Sequence, residues 1–317
     1  MIDTSRTVLV TGGAGFIGSH VCEAYRDAGW TVVAVDDLSS GKRENIPEGV
    51  ELVEMDIRSD RLPALMKERK VELVNHHAAQ IDVRVSVAQP RLDASINVDG
   101  WLNVLESAHA AGAARVVYVS SGGVVYGEPE QIPTGETAPK APISPYGVSK
   151  LAGEHYLFFY RKVHGLEGVT LRYSNVYGPR QDPHGEAGVI ALFSRRLLEG
   201  DDLRVFGDGE QTRDYVYVGD VAAANLAVSS LPLVDPASID DVAYNVATGS
   251  ETSVCELADT IIAASGRDAG TEFAPARPGE LLRSCLDTSK LRAAGWSPRI
   301  GLAEGLRRTY EHIADNL

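Results

Sequence analysis

Thr7-Val-Leu-Val-Thr-Gly-Gly-Ala-Gly-Phe-Ile-Gly18 is the stretch that decides the fold of this chain. Its first five residues form a β-branched, apolar run typical of a strand that is buried on both faces. Gly12, Gly15 and Gly18 follow with the spacing GxxGxxG, and an apolar helical pattern begins at Phe16. Glycines at such a turn let the backbone approach a pyrophosphate, which a helix N-terminus attracts. The stretch therefore predicts a dinucleotide-binding strand–turn–helix unit.

A second strand, Thr31 to Val35, ends at Asp36, eighteen residues after Gly18. A carboxylate at this position accepts hydrogen bonds from the adenosine ribose hydroxyls and repels the 2′-phosphate of NADP. The sequence therefore favours NAD, although Lys42 and Arg43 lie close enough in sequence to leave NADP open.

The alternation of strands and helices continues to about residue 175 and predicts an α/β fold with a doubly wound parallel sheet (Rossmann). Further strands are expected at Val50–Glu54, Val71–His77, Arg115–Ser121 and Gly168–Tyr173, and long helices at Pro90–Gly112 and Pro145–His164. Leu92, Val104 and Leu105 belong to the apolar stripe of the first long helix. Residues 1–175 are the expected cofactor domain, with return segments at about 216–247. Residues 176–317 are the expected smaller, interleaved lobe, because the strand–helix rhythm is lost there.

Ligands of such sheets bind outside the carboxyl ends of the strands, and several candidate residues follow strands at this edge. They are Asp56 and Ile57, which we expect to flank an adenine, Ala78, Ala79 and Gln80, which let a cofactor approach, and the hydroxyls of Ser120 and Ser121. Strand-end serines also satisfy backbone groups routinely. His76 and His77 have no third ligand at a suitable spacing, so we expect no metal site.

Tyr146 and Lys150 are four positions apart in a predicted helix, so their side chains lie on one face about one turn apart. A phenol is a poor base at neutral pH, but a nearby ammonium favours the phenolate. The pair is a candidate proton-transfer centre, although a half-buried tyrosine beside a solvated lysine is also common on amphipathic helices.

The composition of 317 residues, with a formal net charge of −14 and a pI near 5.0, argues against nucleic acid or an anionic membrane as a partner. Cys22, Cys255 and Cys285 have no paired spacing, which indicates reduced thiols in the cytoplasm. We expect no signal peptide, because Met1–Arg6 leads directly into a strand-like segment, and no transmembrane helix, because no apolar run is long enough to cross a bilayer. We expect a soluble, cytoplasmic enzyme.

These motifs, in this order and followed by Leu171-Arg-Tyr-Ser-Asn175, resemble the extended short-chain dehydrogenase/reductases, and among them the UDP-glucose 4-epimerase family. The similarity covers nearly the whole chain. Its further supports are Val35-Asp-Asp-Leu-Ser-Ser-Gly41, His77-Ala-Ala-Gln80, Val124-Val-Tyr-Gly127, Asn175-Val-Tyr-Gly-Pro-Arg180 and Thr212-Arg-Asp-Tyr-Val-Tyr-Val218.

The resemblance implies an isomerase that inverts carbon 4 of a UDP-hexose with tightly bound NAD, regenerated in each turnover. The implied catalytic residues are Tyr146, Lys150 and Ser121. The implied cofactor-binding set is Gly12, Gly15, Phe16, Ile17, Gly18, Asp36, Asp37, Leu38, Ser39, Ser40, Gly41, Asp56, Ile57, Ala78, Ala79, Gln80, Asn97, Ser120, Tyr146, Lys150 and Tyr173. The implied substrate-binding set is Ser121, Gly122, Tyr146, Asn175, Val189, Ile190, Val205, Phe206, Arg213, Arg277, Glu280 and Ser284. A homodimer through a four-helix bundle of the two long helices is also implied.

Two positions depart from the family pattern. Counting back from Val124 places the catalytic hydroxyl at Gly122, which has none, whereas counting back from Tyr146 selects Ser121. Ser284 falls where strict glucose/galactose epimerases carry a bulky aromatic residue. A small residue there admits a 2-acetamido group, which adds UDP-N-acetylglucosamine to the expected substrates.

Other activities of the same fold remain as alternatives. A 4,6-dehydratase needs an Asp-Glu pair where this chain has Gly123 and Val124. A UDP-glucuronate 4-epimerase or decarboxylase stays open, because a carboxylate-binding residue cannot be located from the sequence. A non-catalytic NAD-sensing regulator is more distant, because such proteins commonly lose the tyrosine or the lysine.

Overall fold

The computed structural model describes residues 6–183, 188–276 and 281–316. The strands, in chain order, are β1 Thr7–Thr11, β2 Thr31–Asp36, β3 Glu51–Glu54, β4 Leu73–His76, β5 Arg115–Ser121, β6 Glu167–Tyr173, β7 Asn175–Tyr177, β8 Leu203–Phe206, β9 Thr212–Arg213, β10 Tyr215–Tyr217, β11 Ala243–Val246, β12 Thr252–Ser253 and β13 Thr271–Ala274.

The helices, in chain order, are α1 Phe16–Asp27, α2 Leu62–Glu68, α3 Val83–Ala88, α4 Pro90–Ala94, α5 Gly100–Ala111, α6 Gly122–Val125, α7 Pro145–His164, α8 Val189–Glu199, α9 Val218–Val228, α10 Val254–Ser265, α11 Ser289–Ala293 and α12 Leu302–Asn316. A π-helical turn, Ser95–Asp99, joins α4 to α5. Short 3₁₀ turns lie at Arg43–Asn45 and Ile239–Val242. Within the described part of the chain, no helix is both long and apolar enough to cross a membrane.

Strand β1 lies between β2 and β4 inside a seven-stranded sheet with the order β3-β2-β1-β4-β5-β6-β11. The pairs β1–β2, β1–β4, β2–β3, β4–β5 and β5–β6 are parallel. All five residues of β1 are buried, which explains its unbroken run of apolar and β-branched side chains. Chain order reverses between β1 and β4, so the carboxyl ends of these strands mark the ligand-binding crevice of a doubly wound sheet. The predicted fold class is confirmed.

The core on one side of the sheet shows why the helices pack where they do. Trp101 on α5 is fully buried and its ring centre lies 4.5 Å from that of Tyr118 on β5. Its indole N–H donates to the Gly153 carbonyl of α7 at 3.1 Å, so the ring joins both helices to the sheet. Leu105 and Leu157 are buried in the same cluster.

The apolar stripe predicted for the first long helix is wrong at its N-terminal end. Leu92 is 39% exposed, whereas its neighbour Asp93 is completely buried. A π turn takes an extra residue per turn, so the intervening turn Ser95–Asp99 shifts the buried face between α4 and α5. A single 3.6-residue period therefore does not describe both segments.

Contacts divide the chain into two units. The first comprises residues 1–127, 136–173 and 222–244, and the second comprises residues 128–135, 174–221 and 245–317. Small pairs β7–β10, β9–β12 and β8–β13 occur in the second unit.

The expectation that the strand–helix rhythm ends near Asn175 was wrong for α8, α10 and α12. Helix α12 buries Leu306, Tyr310 and Ile313 at helical spacing. Helix α10 begins at a capping box, in which the Ser253 hydroxyl accepts from the Glu256 N–H at 3.1 Å. The helical spacing of apolar residues in α12 and the capping-box residues of α10 are both visible in the sequence.

Candidate active site

The glycine turn between β1 and α1 is held closed by its own backbone. Gly12 has φ of +67°, its N–H donates to the Val35 carbonyl at 2.8 Å, and its carbonyl accepts from Gly15 N–H at 3.1 Å. A Cβ on Gly18 would lie 2.1 Å from the Gly12 carbonyl oxygen, so only glycine fits there. The N-cap of α1 is Gly15, which has no side chain to cap the helix, and Phe16 and Ile17 follow in the first turn. This terminus suits an anion.

Asp36 ends β2 and is 7% exposed. One carboxylate oxygen accepts from Ala14 N–H at 3.0 Å and the other from Leu38 N–H at 2.9 Å. Burial raises the pKa of Asp36, while these two backbone bonds oppose the shift. Each oxygen keeps a second lone pair for a ribose hydroxyl. The Asp37 carboxylate in turn accepts from Ser39, at 2.9 Å from the N–H and 2.6 Å from the hydroxyl.

The remainder of the loop that the sequence assigns to the cofactor, Leu38 to Gly41, folds back on the glycine turn. Leu38 has φ of +58°, and Lys42 N–H donates to the Ala14 carbonyl at 3.0 Å. Ser40 is exposed. Arg43 forms an ion pair with Glu54, which neutralises one of the two cations that left NADP open.

The two residues predicted at the adenine differ in environment. The Asp56 carboxylate binds Arg58, with Nη2 at 2.5 Å, and this hydrogen bond lowers the pKa of Asp56. Ile57 is 5% exposed and belongs to the core cluster of the first unit.

Residues after β4 form a clamp with the π turn. Gln80 N–H donates to the Asn97 side-chain oxygen at 2.9 Å, and the Asn97 amide donates back to the Gln80 carbonyl at 2.9 Å. Ala78 N–H donates to the Thr11 hydroxyl at 3.1 Å. A Cβ on Gly12 would meet Ala78 N at 2.7 Å, so the Ala78-Ala79 segment lies close against the glycine turn.

Tyr146 and Lys150 occupy the first turns of α7, whose N-terminus is fixed by Ser144 accepting from Gly147 N–H at 3.1 Å. Lys150 is 3% exposed and donates to the Val119 carbonyl at 2.9 Å. Its Nζ lies 5.8 Å from the centre of the Tyr146 ring. The helix therefore brings the two predicted side chains together.

The electrostatics of this pair are set by burial. Burial lowers the pKa of Lys150 to about 8, and the negative charges of Asp93 and Glu154 oppose that shift. Burial raises the pKa of Tyr146 above its ordinary value near 10, and Asp93 raises it further. Both effects disfavour the phenolate form of Tyr146.

The serines that end β5 have different roles. The Ser120 hydroxyl donates to Glu154 Oε1 at 2.6 Å, and Ser120 is buried. Successive side chains of a strand point to opposite faces, so Ser121 faces away from Ser120. Gly122 begins α6 and has no hydroxyl to offer. Tyr173, the last residue of β6, is buried, and its hydroxyl accepts from Asn225 at 2.6 Å.

The predicted substrate residues of the second unit gather around β9 and β7. Arg213 on β9 donates from Nη1 to the Thr212 carbonyl at 2.8 Å, and Ser284 N–H donates to the same carbonyl at 3.2 Å. Asn175 begins β7 and donates from its N–H to the Asp214 carbonyl at 3.0 Å.

The other predicted substrate residues include side chains that the second unit buries itself. Ile190 and Val205 are 2% and 0% exposed, whereas Val189 and Phe206 are partly exposed. Arg277 and Glu280 lie outside the described residues.

Two buried carboxylates lie beside candidate residues: the sequence already suggests that Asp214, directly after Arg213, helps to position that segment, whereas Glu154 was missed. Asp214 is completely buried and accepts from Thr248 N–H, Thr248 Oγ1 and Gly249 N–H at 2.8, 2.7 and 2.9 Å. Glu154, one turn after Lys150, pairs with Arg172, and both side chains are fully buried. The sequence does contain a signal for such residues, namely an acidic or basic residue within the apolar face of a strand or helix. Charged side chains are rarely buried unless they are paired, so such a residue indicates a buried partner.

His76, the first histidine of the adjacent pair, has a structural role. Its ring centre lies 4.6 Å from that of Trp101, its Nδ1 is 2.8 Å from the Thr11 hydroxyl, and burial holds its pKa well below the ordinary value. Over residues 6–183, 188–276 and 281–316, no cluster of three or more His, Cys, Asp or Glu side chains is arranged to hold a metal ion.

Comparison with known proteins identifies the family. The sequence profile of the NAD dependent epimerase/dehydratase family matches residues 8–247. The chain belongs to this family. Among solved structures, the UDP-glucose 4-epimerase of Thermotoga maritima, determined with UDP-glucose, is 41% identical, with a TM-score of 0.93 and coverage of 98% of this chain and 99% of that chain.

Two further relatives carry different molecules. The UDP-glucose 4-epimerase of Thermus thermophilus, in complex with NAD, is 44% identical with a TM-score of 0.90, over 98% of this chain and 100% of that chain. The UDP-N-acetylglucosamine 4-epimerase of Methanobrevibacter ruminantium, in complex with UDP-N-acetylmuramic acid, is 33% identical with a TM-score of 0.92, over 98% and 99%. The resemblance drawn from the motifs is confirmed.

The first unit of this family member fits the cofactor named for the family. A Cβ at Gly12 or Gly18 would fill the turn that a pyrophosphate must approach, and the uncapped N-terminus of α1 faces the same turn. Asp36 supplies the acceptor that adenosine ribose requires. The cofactor is NAD.

Proposed function

We propose that this chain is an NAD-dependent isomerase that inverts carbon 4 of a UDP-hexose through a 4-keto intermediate. The observation that carries the proposal is the buried Lys150 ammonium held by Val119 one helical turn from Tyr146, in a unit built for NAD. The activities named for the three solved relatives support it.

Bound NAD⁺ would take the hydride from carbon 4, add positive charge to the reaction centre, and return the hydride to the opposite face of the 4-keto sugar, so that no net oxidation results. Tyr146 removes the proton of the 4-hydroxyl as a phenolate, and Lys150 stabilises that phenolate electrostatically. Because the protein alone raises the pKa of Tyr146, this ionisation depends on the loaded site. Ser121, whose side chain faces away from Ser120, hydrogen-bonds the same substrate oxygen. General acid–base catalysis of this kind contributes about 10²- to 10⁴-fold in rate.

The second unit supplies the nucleotide-binding residues. Asn175, Arg213 and Arg277 bind the UDP phosphates, since a guanidinium matches phosphate geometry and local positive charge is needed in a chain of net charge −14. The uridine is surrounded by Val189, Ile190, Val205 and Phe206. Ile190 and Val205 are buried, so they mainly support the side chains that line the uridine site.

UDP-glucose and UDP-galactose are the primary substrates, and UDP-N-acetylhexosamines are also accepted. Ser284 is the basis for the second group, because it stands where a bulky aromatic residue would exclude a 2-acetamido substituent. The acetamido activity named for the Methanobrevibacter ruminantium relative supports this range.

The test is a panel of UDP-sugars incubated with purified protein and no added reductant. We expect interconversion of UDP-galactose and UDP-glucose, with weaker conversion of the N-acetyl pair, and no change at carbon 6 by mass spectrometry. Conversion confined to UDP-glucuronate, or loss of carbon dioxide, would replace the proposal with a uronic-acid activity. Absence of turnover on every UDP-sugar would leave NAD binding alone as the role.

We also propose a homodimer through a four-helix bundle. Helix α7 exposes Val148, Tyr156, Phe159 and Val163, at 54%, 38%, 45% and 62%, which is unusual for large apolar side chains on one long helix. Phe159→Glu should convert a dimer to a monomer in sedimentation velocity. Phe273→Glu changes an exposed phenylalanine on β13 rather than on α7, 62% exposed, and should leave the dimer intact.

The cytoplasm is the proposed location. Cys22, Cys255 and Cys285 are not joined in disulfides, which agrees with a reducing compartment.

A further inference from the structure

Asp93 is a buried carboxylate that neither the motifs nor the proposed reaction uses. It lies on α4, is completely buried, and makes hydrogen bonds through both oxygens. Oδ1 accepts from the Ser149 hydroxyl at 2.5 Å. Oδ2 accepts from the Asn97 amide at 2.9 Å and from the Gln80 amide at 3.4 Å. Three separate parts of the first unit therefore converge on one side chain.

The donors to Asp93 are side chains beside the candidate reaction centre. Ser149 immediately precedes Lys150 on α7, and Gln80 and Asn97 form the clamp between β4 and the π turn. All three donors are neutral, so none of them cancels a carboxylate charge. A buried charge without a cation in hydrogen-bond contact acts on the nearest titratable groups, because the interior screens poorly.

The groups that face Lys150 come from several elements. They are Tyr146 and Glu154 on α7, Asp93 on α4, His76 at the end of β4, His77 directly after it, and Tyr118 on β5. Only Asp93 and Glu154 among these are acids, and Glu154 is paired with the Arg172 guanidinium in a fully buried ion pair. Asp93 is therefore the carboxylate that is not already balanced by a cation.

We propose that Asp93 is a positioning residue of the reaction centre, whose buried charge holds Lys150 as an ammonium and whose hydrogen bonds fix Ser149 and the Gln80–Asn97 clamp around it. This inference rests on the proposed epimerase function for its kinetic test, but its electrostatic part can be measured without turnover.

The direction in which the pKa values of Lys150 and Tyr146 should change follows from the negative charge of Asp93. Deprotonation of Lys150 removes a positive charge that Asp93 stabilises, so loss of the carboxylate lowers the pKa of Lys150. Ionisation of Tyr146 creates a negative charge that Asp93 repels, so the same loss also lowers the pKa of Tyr146. Asp93→Asn should therefore move the acidic and the alkaline limb of the pH–rate profile in the same direction, to lower pH, by about 1 unit.

The experiment measures kcat and kcat/KM for UDP-galactose across pH in the wild type and in D93N, D93E and D99N. D93E keeps the negative charge and should therefore leave both limbs of the pH–rate profile near their wild-type positions. Asp99 lies six residues further along the same helical segment and is exposed, so D99N removes an equal charge without access to the site and should move neither limb. If D93N does not fold, Asp93→Ser, which is smaller and keeps an acceptor for Asn97, takes its place.

A second readout is the side-chain NMR titration of Lys150 in lysine-labelled protein, with the resonance identified by its absence in Lys150→Met. We expect a lower pKa of Lys150 in D93N than in the wild type and an unchanged one in D99N. A fall in kcat with both limbs and the Lys150 titration unmoved would show that Asp93 is only structural. A wild type inactive on all UDP-sugars would overturn the proposed function, while the NMR titration would still decide the role of Asp93.

Discussion

Gly18→Ala tests whether the glycine turn is the NAD site. The new Cβ would lie 2.1 Å from the Gly12 carbonyl oxygen and 2.8 Å from its carbon, whereas ordinary contact begins at 3.4 Å. The turn must therefore retreat by about 1.3 Å. Gly12 cannot move freely, because its N–H donates to Val35 and its carbonyl accepts from Gly15.

The cost can be estimated from these contacts. Forcing one extra methyl group into a well-packed site costs about 1–3 kcal/mol. If the turn relaxes in the free protein and must be compressed again to meet a pyrophosphate, that cost falls on binding. The affinity for NAD⁺ then drops about 5- to 150-fold.

The assay combines the NAD released per protomer on denaturation with calorimetric titration of NAD⁺ into the purified protein. Gly301→Ala is the matched control, because a Cβ there meets open space and Gly301 does not have a left-handed φ. G301A should retain wild-type NAD content. Wild-type content and affinity in a folded G18A would refute the assignment of this turn to the pyrophosphate.

The remaining predictions concern the reaction centre, the core and specificity. Tyr146→Phe should lower kcat by about 10²- to 10⁴-fold while the NAD content is retained, and full activity would remove Tyr146 from the proton transfer. Glu154→Gln should lower the free energy of unfolding in urea by about 1–3 kcal/mol, because Arg172 loses its fully buried carboxylate but keeps Asp240, and a change within error would contradict that. Ser284→Tyr should lower kcat/KM for UDP-N-acetylglucosamine about tenfold or more relative to UDP-galactose, and an equal effect on both substrates would refute the specificity role.

The parts of this fold that could be predicted from the sequence are those specified by local pattern. The β1–turn–α1 unit was predicted because a buried strand, glycine spacing and an apolar helix start are adjacent in the chain. The bounds of α7 agree with the predicted Pro145–His164 because Ser144 caps it and Gly165 ends it in a left-handed conformation.

What escaped prediction depends on contacts distant in sequence. Asp93 looked like an ordinary helical acid, because its burial requires the π turn and the hydroxyl of Ser149, 56 residues away. A positioning role for Asp214 is suggested by its place after Arg213, but its partners Thr248 and Gly249 lie 34 and 35 residues away and could not be read from the sequence. The periodicity of apolar residues in the sequence carries no information about such long-range pairings. The catalytic hydroxyl is an intermediate case, since strand alternation separates Ser121 from Ser120 but does not show what Ser121 binds.

Hydride return to the same carbon is the central claim, and UDP-galactose deuterated at carbon 4 tests it most directly. Because bound NAD⁺ would take the hydride and return it to the opposite face of the same carbon, the UDP-glucose formed should keep its deuterium at carbon 4 when no free nicotinamide cofactor is added. Loss of the deuterium to solvent, or a requirement for added NADH in stoichiometric amount, would contradict it.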